Sequence, residues 1–194
     1  MNTKKQVVVI AGPSGSGKNS LINQIIRTHK NCVRLVTATT RQPRPGEKNG
    51  VDYYFFTPEQ FDTEMSQGHI PEHRFVQELN TYYGTYTPDL DKHIKAGQIV
   101  FAQVDIEGAK LLKERYNATT IFIMPESLEQ FRGRLRVRNP EWSEVEFNAR
   151  MKITETEMRV HAPQYDYRVI NADGALPETV SQVVDILKKE GYTL

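Results

Sequence analysis

The segment Gly12-Pro13-Ser14-Gly15-Ser16-Gly17-Lys18 fits the pattern Gly-x-x-x-x-Gly-Lys and lies between a β-branched run and an amphipathic stretch. Glycines let the backbone curl its N–H groups around a phosphate chain, a helix N-terminus adds partial positive charge, and the lysine reaches the outer phosphates. At the next position the motif takes Ser or Thr, whose hydroxyl holds Mg2+; this chain has Asn19, followed by Ser20. An amide oxygen can ligate Mg2+ directly or through water, and Asn19 can equally be a helix-start residue. A second set is Arg41 and Arg44, beside Pro43 and Pro45, which can present two guanidinium forks to one phosphate dianion. A third is Arg134 and Arg138, one helical turn apart, with Arg150 in the following helix. Such a set can neutralise a phosphoryl group in transit, or it can pair with Glu129, Glu144 and Glu146.

These side chains need elements to position them, and the hydropathy pattern supplies an alternation of strands and helices. Gln6 to Ala11 is apolar without alternation, so it reads as a strand buried on both faces, and Lys18 to His29 follows as a helix. Comparable buried runs occur at Val33 to Val36, Ile99 to Val104, Thr119 to Ile123 and Tyr167 to Ile170. This is the signature of an α/β layer with a parallel sheet. Thr57, Pro58 and Gln60 open one helix, and Ser143 with Glu146 has capping-box spacing. Leu128, Phe131 and Leu135 make one apolar helical face. Residues 38 to about 86 break the alternation with Pro43, Pro45, Gly46, Gly50, Gly68, Pro71 and Gly84 and with the aromatic run Tyr53 to Phe56, predicting a small mixed-sheet lobe. Arg138 to Trp142, with Asn139-Pro140, interrupts two helices. Both irregular stretches are candidates for moving parts.

The run Thr39-Thr40-Arg41-Gln42-Pro43-Arg44-Pro45-Gly46-Glu47, followed by Asn49-Gly50-Val51-Asp52-Tyr53, resembles the GMP-binding region of guanylate kinases. The likeness continues through Tyr82-Tyr83-Gly84-Thr85, Val104-Asp105-Ile106-Glu107-Gly108, Arg134 to Arg138, Arg150, and Tyr165-Asp166 ahead of Asn171, so it covers nearly the whole chain in order. The resemblance implies one domain with a P-loop NTPase three-layer core (1–37, 87–125 and 160–194), a GMP-binding lobe (about 38–86) and a helical lid (about 126–159). It implies ATP as phosphoryl donor, GMP and dGMP as acceptors, and Mg2+ as cofactor. By the family's pattern, Lys18, Arg41, Arg134, Arg138 and Arg150 are the catalytic set. ATP falls to Gly12, Pro13, Ser14, Gly15, Ser16, Gly17, Lys18, Asn19 and Ser20, with Asn171 at the adenine, although Asn171 can also be a turn residue before Asp173-Gly174. The GMP phosphate falls to Arg41, Arg44, Tyr53 and Tyr83, and the guanine to Glu72 and Asp105 with the hydroxyls of Thr85 and Thr37. Guanine offers N1–H and a 2-amino group, a donor pair that adenine lacks, so a carboxylate there selects the base.

Three departures from the family's pattern bear on the site. Between Glu72 and Tyr83 the spacing is longer by about two residues, which can shift the Glu72 carboxylate. Asp105 closes a buried strand, where open α/β sheets place ligands, but two residues earlier the family's usual acid is replaced by Gln103. With Asn19, that change removes one negative charge and one hydroxyl from the Mg2+ neighbourhood. Either the metal is held mostly by nucleotide phosphates and water, or turnover is reduced, or the acceptor differs.

Composition bounds the alternatives. Of 194 residues 38% are hydrophobic and 25% charged, as in ordinary globular domains. Lys+Arg 25 against Asp+Glu 24 leaves a net charge of +1, so no global field holds a nucleic-acid backbone. The single Cys32 cannot form an internal disulfide, and no signal or membrane-spanning segment is visible, which predicts a cytoplasmic protein acting on small molecules. Five histidines lack metal-ligand spacing. Monomer and homo-oligomer stay open. Two other functions are compatible with parts of the pattern: a P-loop kinase of another small phosphorylated acceptor, and a non-catalytic phospho-ligand-binding module. The full set Arg41, Arg44, Tyr53 and Tyr83 argues against the first, and retention of Lys18 against the second.

Overall fold

A computed structural model describes residues 4–194. In chain order the elements begin with β1 (Val7–Ala11), α1 (Lys18–Thr28), β2 (Cys32–Arg34), β3 (Ala38–Thr39), β4 (Tyr54–Phe55), α2 (Pro58–Ser66), β5 (His73–Val76) and β6 (Thr81–Gly84). They continue with α3 (Thr87–Lys95), β7 (Ile99–Ala102), α4 (Ile106–Tyr116), β8 (Thr119–Met124), α5 (Leu128–Arg138), α6 (Glu144–Thr156), β9 (Tyr167–Ile170) and α7 (Leu176–Lys189).

Five strands form a parallel sheet in the order β2-β7-β1-β8-β9. The central strand β1 is buried throughout. Its period of two sends Val8 and Ile10 into one apolar layer with Leu21, Ile25 and Val183, and Val7, Val9 and Ala11 into the opposite layer with Leu90 and Leu112. That double burial explains the unbroken β-branched sequence and produces a three-layer α/β/α core. A second sheet, β4-β3-β6-β5, is mixed: β3 pairs parallel with β4 and antiparallel with β6. It carries its own small core of Ala38, Phe61 and Ile70. The helix α2 covers it and starts from the expected Thr57–Gln60 capping box.

Helices α5 and α6 pack through Phe131, Leu135, Phe147 and Met151, with Trp142 at the margin. Each such buried side chain contributes about 1.5–3 kcal/mol, enough to hold the pair together as a unit. The expected apolar face is narrower than the sequence suggested, since Leu128 is 39% exposed. Ser143 and Glu146 form the predicted capping box of α6. The helix then runs into a π-helical turn at Glu157–His161 that the sequence pattern did not announce.

Two strand ends differ from expectation for identifiable reasons. Val36 leaves the first sheet because buried Asp89 on α3 accepts from its N–H at 3.0 Å, and Asp89 also accepts from the Tyr54 hydroxyl. This redirects the chain into β3. Strand β7 stops at Ala102, so Asp105 does not close a strand: it caps α4, accepting from the N–H groups of Glu107 and Gly108, both at 3.1 Å.

Candidate active site

The loop from Gly12 to Gly17 follows the C-terminal end of β1 and opens α1. Lys18 folds back over it, its Nζ donating to the carbonyls of Gly12 at 2.6 Å and Pro13 at 2.8 Å. Burial lowers the Lys18 ammonium to about 8; Glu157 pulls it up and Arg138 pushes it down. The Ser16 hydroxyl is buried in the same loop with no partner among the described residues. A buried donor left in that state is costly until a ligand satisfies it.

Asn171 braces this loop from below. It is buried, its Nδ2 donates to the Ser16 carbonyl at 2.8 Å, and its Oδ1 accepts from Thr179 at 3.0 Å. A Cβ at position 17 would lie 2.3 Å from Asn171 Nδ2, and Gly17 has φ 91°, so only glycine fits this approach. Asn171 thus helps to hold the shape of the phosphate loop.

A cavity of about 230 Å³ opens between the two sheets, and Thr37, Tyr53, Glu72, Tyr83, Thr85 and Asp105 all line it. Between Glu72 and Tyr83 run β5 and a turn at Gln77–Leu79, which lead into β6. Its Oε2 accepts from the Thr85 hydroxyl at 3.0 Å. Burial and the neighbouring Asp105 raise the Glu72 carboxyl above the usual range, while Thr85 opposes the shift. Gly108 makes room for this group, because a Cβ there would come 3.0 Å from Glu72 Oε2.

At the outer end of the cavity Arg41 and Glu47 pair through both oxygens, at 3.0 Å each. Glu47 also accepts from the backbone N–H of Arg44 at 2.7 Å, closing the 41–47 loop on itself. The Arg41 guanidinium lies 5.4 Å from the Tyr53 ring centre, and Tyr53 packs edge-on against Tyr83. Arg44 projects outward, exposed.

A larger cavity of about 770 Å³ adjoins the phosphate loop. Ala11, Gly12 and Phe122 line its floor, and Lys152, Thr156, Glu157 and His161 its roof. It shares Arg74, Val104 and Asp105 with the smaller one. Burial raises the Glu157 carboxyl, against the pull of Lys18, His161, Arg74 and Arg150. The three candidate arginines of the helical pair are not brought together. Arg134 donates twice to the Asn171 carbonyl at 3.2 Å and pairs with Asp173. Arg150 stacks over Trp142 at 5.8 Å, and Arg138 is exposed.

Sequence reasoning missed Arg34, Arg74 and Glu157. Arg34 is a charge in an otherwise apolar strand run, a signal that was present. Arg74 and Glu157 lie on an exposed strand and in an unexpected π turn, where nothing local marks them. The Arg34 guanidinium donates to the side-chain oxygens of Asn19, Asn23 and Gln103. The donor set at positions 19 and 103 therefore does not fit a protein-held Mg2+: it consists of two neutral amides whose oxygens face a cation, where hard and preferably anionic oxygens are required. Among the described residues no group of three or more His, Cys, Asp or Glu could hold a metal ion.

A phosphate loop at the C-terminal edge of a parallel sheet, with a carboxylate-lined cavity in an inserted lobe beside it, defines a P-loop fold of the nucleotide-kinase kind. The family model described as guanylate kinase matches residues 4–190. A guanylate kinase of Bacteroides thetaiotaomicron is 35% identical over 189 residues, covering 95% of this chain and 91% of that protein. One of Thermosynechococcus vestitus is 38% identical over 169 residues, 87% and 86% of the two chains. The crystal structure of guanylate kinase from Anaplasma phagocytophilum superposes with a TM-score of 0.70 at 31% identity, covering 100% of this chain and 89% of that one. The chain belongs to the guanylate kinase family.

Proposed function

We propose that the chain transfers the γ-phosphoryl group of ATP to the phosphate of GMP or dGMP, giving ADP and the guanosine diphosphate. The observation that carries this reading is the convergence of Glu72, Thr85, Asp105, Tyr53 and Tyr83 on one cavity that abuts the cavity of the phosphate loop. Glu72 and Asp105 supply acceptors for the guanine N1–H and 2-amino group, and Thr85 and Thr37 supply hydroxyls to its ring oxygen. Arg41, Arg44, Tyr53 and Tyr83 take the monophosphate. Gly12 to Ser20 take the phosphates of ATP, the buried Ser16 hydroxyl among the donors, and Lys18 leaves the carbonyls of Gly12 and Pro13 to reach them.

The acceptor is already a phosphate oxygen, so no general base is required and the work is positioning and charge neutralisation. Residues 126–159 act as a lid on a core of 1–37, 87–125 and 160–194, with 38–86 as the GMP lobe. Closing swings Arg138 and Arg150 over the transferring group beside Arg134. Any Mg2+ enters on the phosphates of ATP and water, with no ligand assigned to Asn19. The reaction belongs to purine nucleotide metabolism in the cytoplasm. No helix among the described residues is long and apolar enough to cross a membrane. The test is product analysis by chromatography after incubation with MgATP and GMP. Equal amounts of ADP and GDP support the reading; ADP without GDP, or neither product, contradicts it.

A further inference from the structure

Arg34 is the last residue of β2, the edge strand of the parallel sheet, and its half-buried side chain runs toward the start of α1. Nη2 donates to Asn23 Oδ1 at 3.0 Å, and Nη1 donates to Gln103 Oε1 and, at 3.4 Å, to Asn19 Oδ1. All three partners are neutral amides, and no carboxylate lies within ion-pair distance of Arg34 among the described residues. Several other cations in the fold do have such a partner, among them Lys5 with Glu190, Arg41 with Glu47 and Arg136 with Glu144. A guanidinium cannot shed its charge, and holding it half-buried among neutral groups is unfavourable until an anion arrives. Burial does lower its proton affinity here.

The position identifies the anion. Asn19 directly follows the phosphate-loop lysine, and Gln103 lines the acceptor cavity. Arg34 therefore bridges the residue after the phosphate-loop lysine and a residue of the acceptor cavity. At positions 19 and 103 a hydroxyl and an acid would hold a divalent cation from the protein side; here two amides instead orient a guanidinium. We propose that Arg34 is a built-in cation that binds nucleotide phosphate at the donor–acceptor junction and takes the place of a protein-anchored metal. Asn19, Asn23 and Gln103 are its positioning residues. Acid at 103 would fix Arg34 as an ion pair, whereas neutral amides aim it and leave its charge free for phosphate.

This inference rests on the proposed nucleotide chemistry, and its test is a binding measurement that does not depend on GMP turnover. ATP affinity is measured by titration calorimetry on the intact chain, once with EDTA and once with excess Mg2+. In the parent the two dissociation constants should agree within about fivefold, since the cation is already in place. In Arg34→Met the EDTA value should weaken by about tenfold or more, the worth of one charge-assisted hydrogen bond, and by clearly less with Mg2+. Arg34→Lys should recover most of the loss. A parent whose ATP binding collapses by about a hundredfold when Mg2+ is removed overturns the proposal, as does an Arg34→Met variant equally weakened in both buffers or unchanged in both. If Arg34→Met misfolds by thermal melt, Arg34→Lys and the parent ratio still decide. Failure of the guanylate kinase reading shows separately, as absence of GDP from the parent with normal ATP binding.

Discussion

Replacing Glu72 by Gln keeps the shape of the acceptor cavity and removes its charge, so it isolates what the carboxylate does for guanine. Glu72 Oε2 already accepts from Thr85, leaving the other oxygen and remaining lone pairs for the N1–H and 2-amino donors. A hydrogen bond to a charged group is worth about 1.5–3 kcal/mol. Gln retains one acceptor oxygen, and its amide nitrogen then confronts a guanine donor, so one charged bond is lost and one donor is left unpaired. The sum is about 3–4 kcal/mol, or two to three orders of magnitude in kcat/KM for GMP. The KM for ATP should move by less than about threefold, because Glu72 lines the acceptor cavity and not the one beside the phosphate loop. Stability should behave in the opposite way. Burial and Asp105 raise the folded-state pKa of Glu72. Its contribution to stability is therefore present below the ordinary glutamate range and is lost as pH rises through the raised value. At neutral pH the Gln variant should melt at the parent's temperature or slightly above it. Steady-state kinetics with each substrate varied, together with melting curves at pH 7, make the measurement. A GMP kcat/KM within fivefold of the parent, or a melt lowered by several degrees, would refute the reasoning.

Four further outcomes follow from the same geometry. Lys18→Met should reduce turnover by about a hundredfold or more while leaving the melting temperature nearly unchanged, because Nζ touches only the carbonyls of the loop it serves. Because that ammonium titrates near 8, ATP binding at pH 8 should take up about half a proton as phosphate restores the full charge. Calorimetry in buffers of different ionisation enthalpy reads this uptake, and no buffer dependence would count against it. Arg44→Ala should raise the KM for GMP more than that for ATP, an expectation that equal changes would contradict. Asn171→Ala should cost about 1–3 kcal/mol of stability, since it leaves the Ser16 carbonyl without its side-chain donor while the Thr179 hydroxyl keeps the Ala175 carbonyl, and should weaken ATP binding as well; chemical denaturation and ATP titration test both parts.

Much of the architecture was legible because it rests on local patterns. The β-branched run at Val7–Ala11, the loop after it and the two capping boxes are each written within a few residues, and each forms as read. Strand ends were less legible because distant groups set them: Asp89 on α3 ends the run at Val36, and no feature of Val33 to Val36 itself foretells that. Asp105 was placed one element too early for a related reason, since a capping Asp and a strand-end Asp look alike until the helix is seen. In the site, Glu72 falls with Thr85 and Asp105 on one cavity, because the antiparallel pairing of β5 with β6 brings the residue before β5 beside the residue after β6. The surroundings of Asn171 and Arg34 could not be read from sequence, as the contacts of each are with partners more than ten residues away: Ser16 for one, Gln103 for the other. The departures at Asn19 and Gln103 were visible, but only the structure puts one guanidinium between them.

The central claim is tested most directly by measuring ADP formation from MgATP with GMP, dGMP, AMP, CMP, UMP and a bisphosphorylated ribose as separate acceptors. The account predicts turnover with GMP and dGMP and a kcat/KM for AMP lower by about four orders of magnitude, as expected when a buried carboxylate is left facing a base that cannot pair with it. Turnover with AMP or the bisphosphorylated ribose equal to or greater than that with GMP, or saturable GMP binding with no turnover on any acceptor, would contradict it.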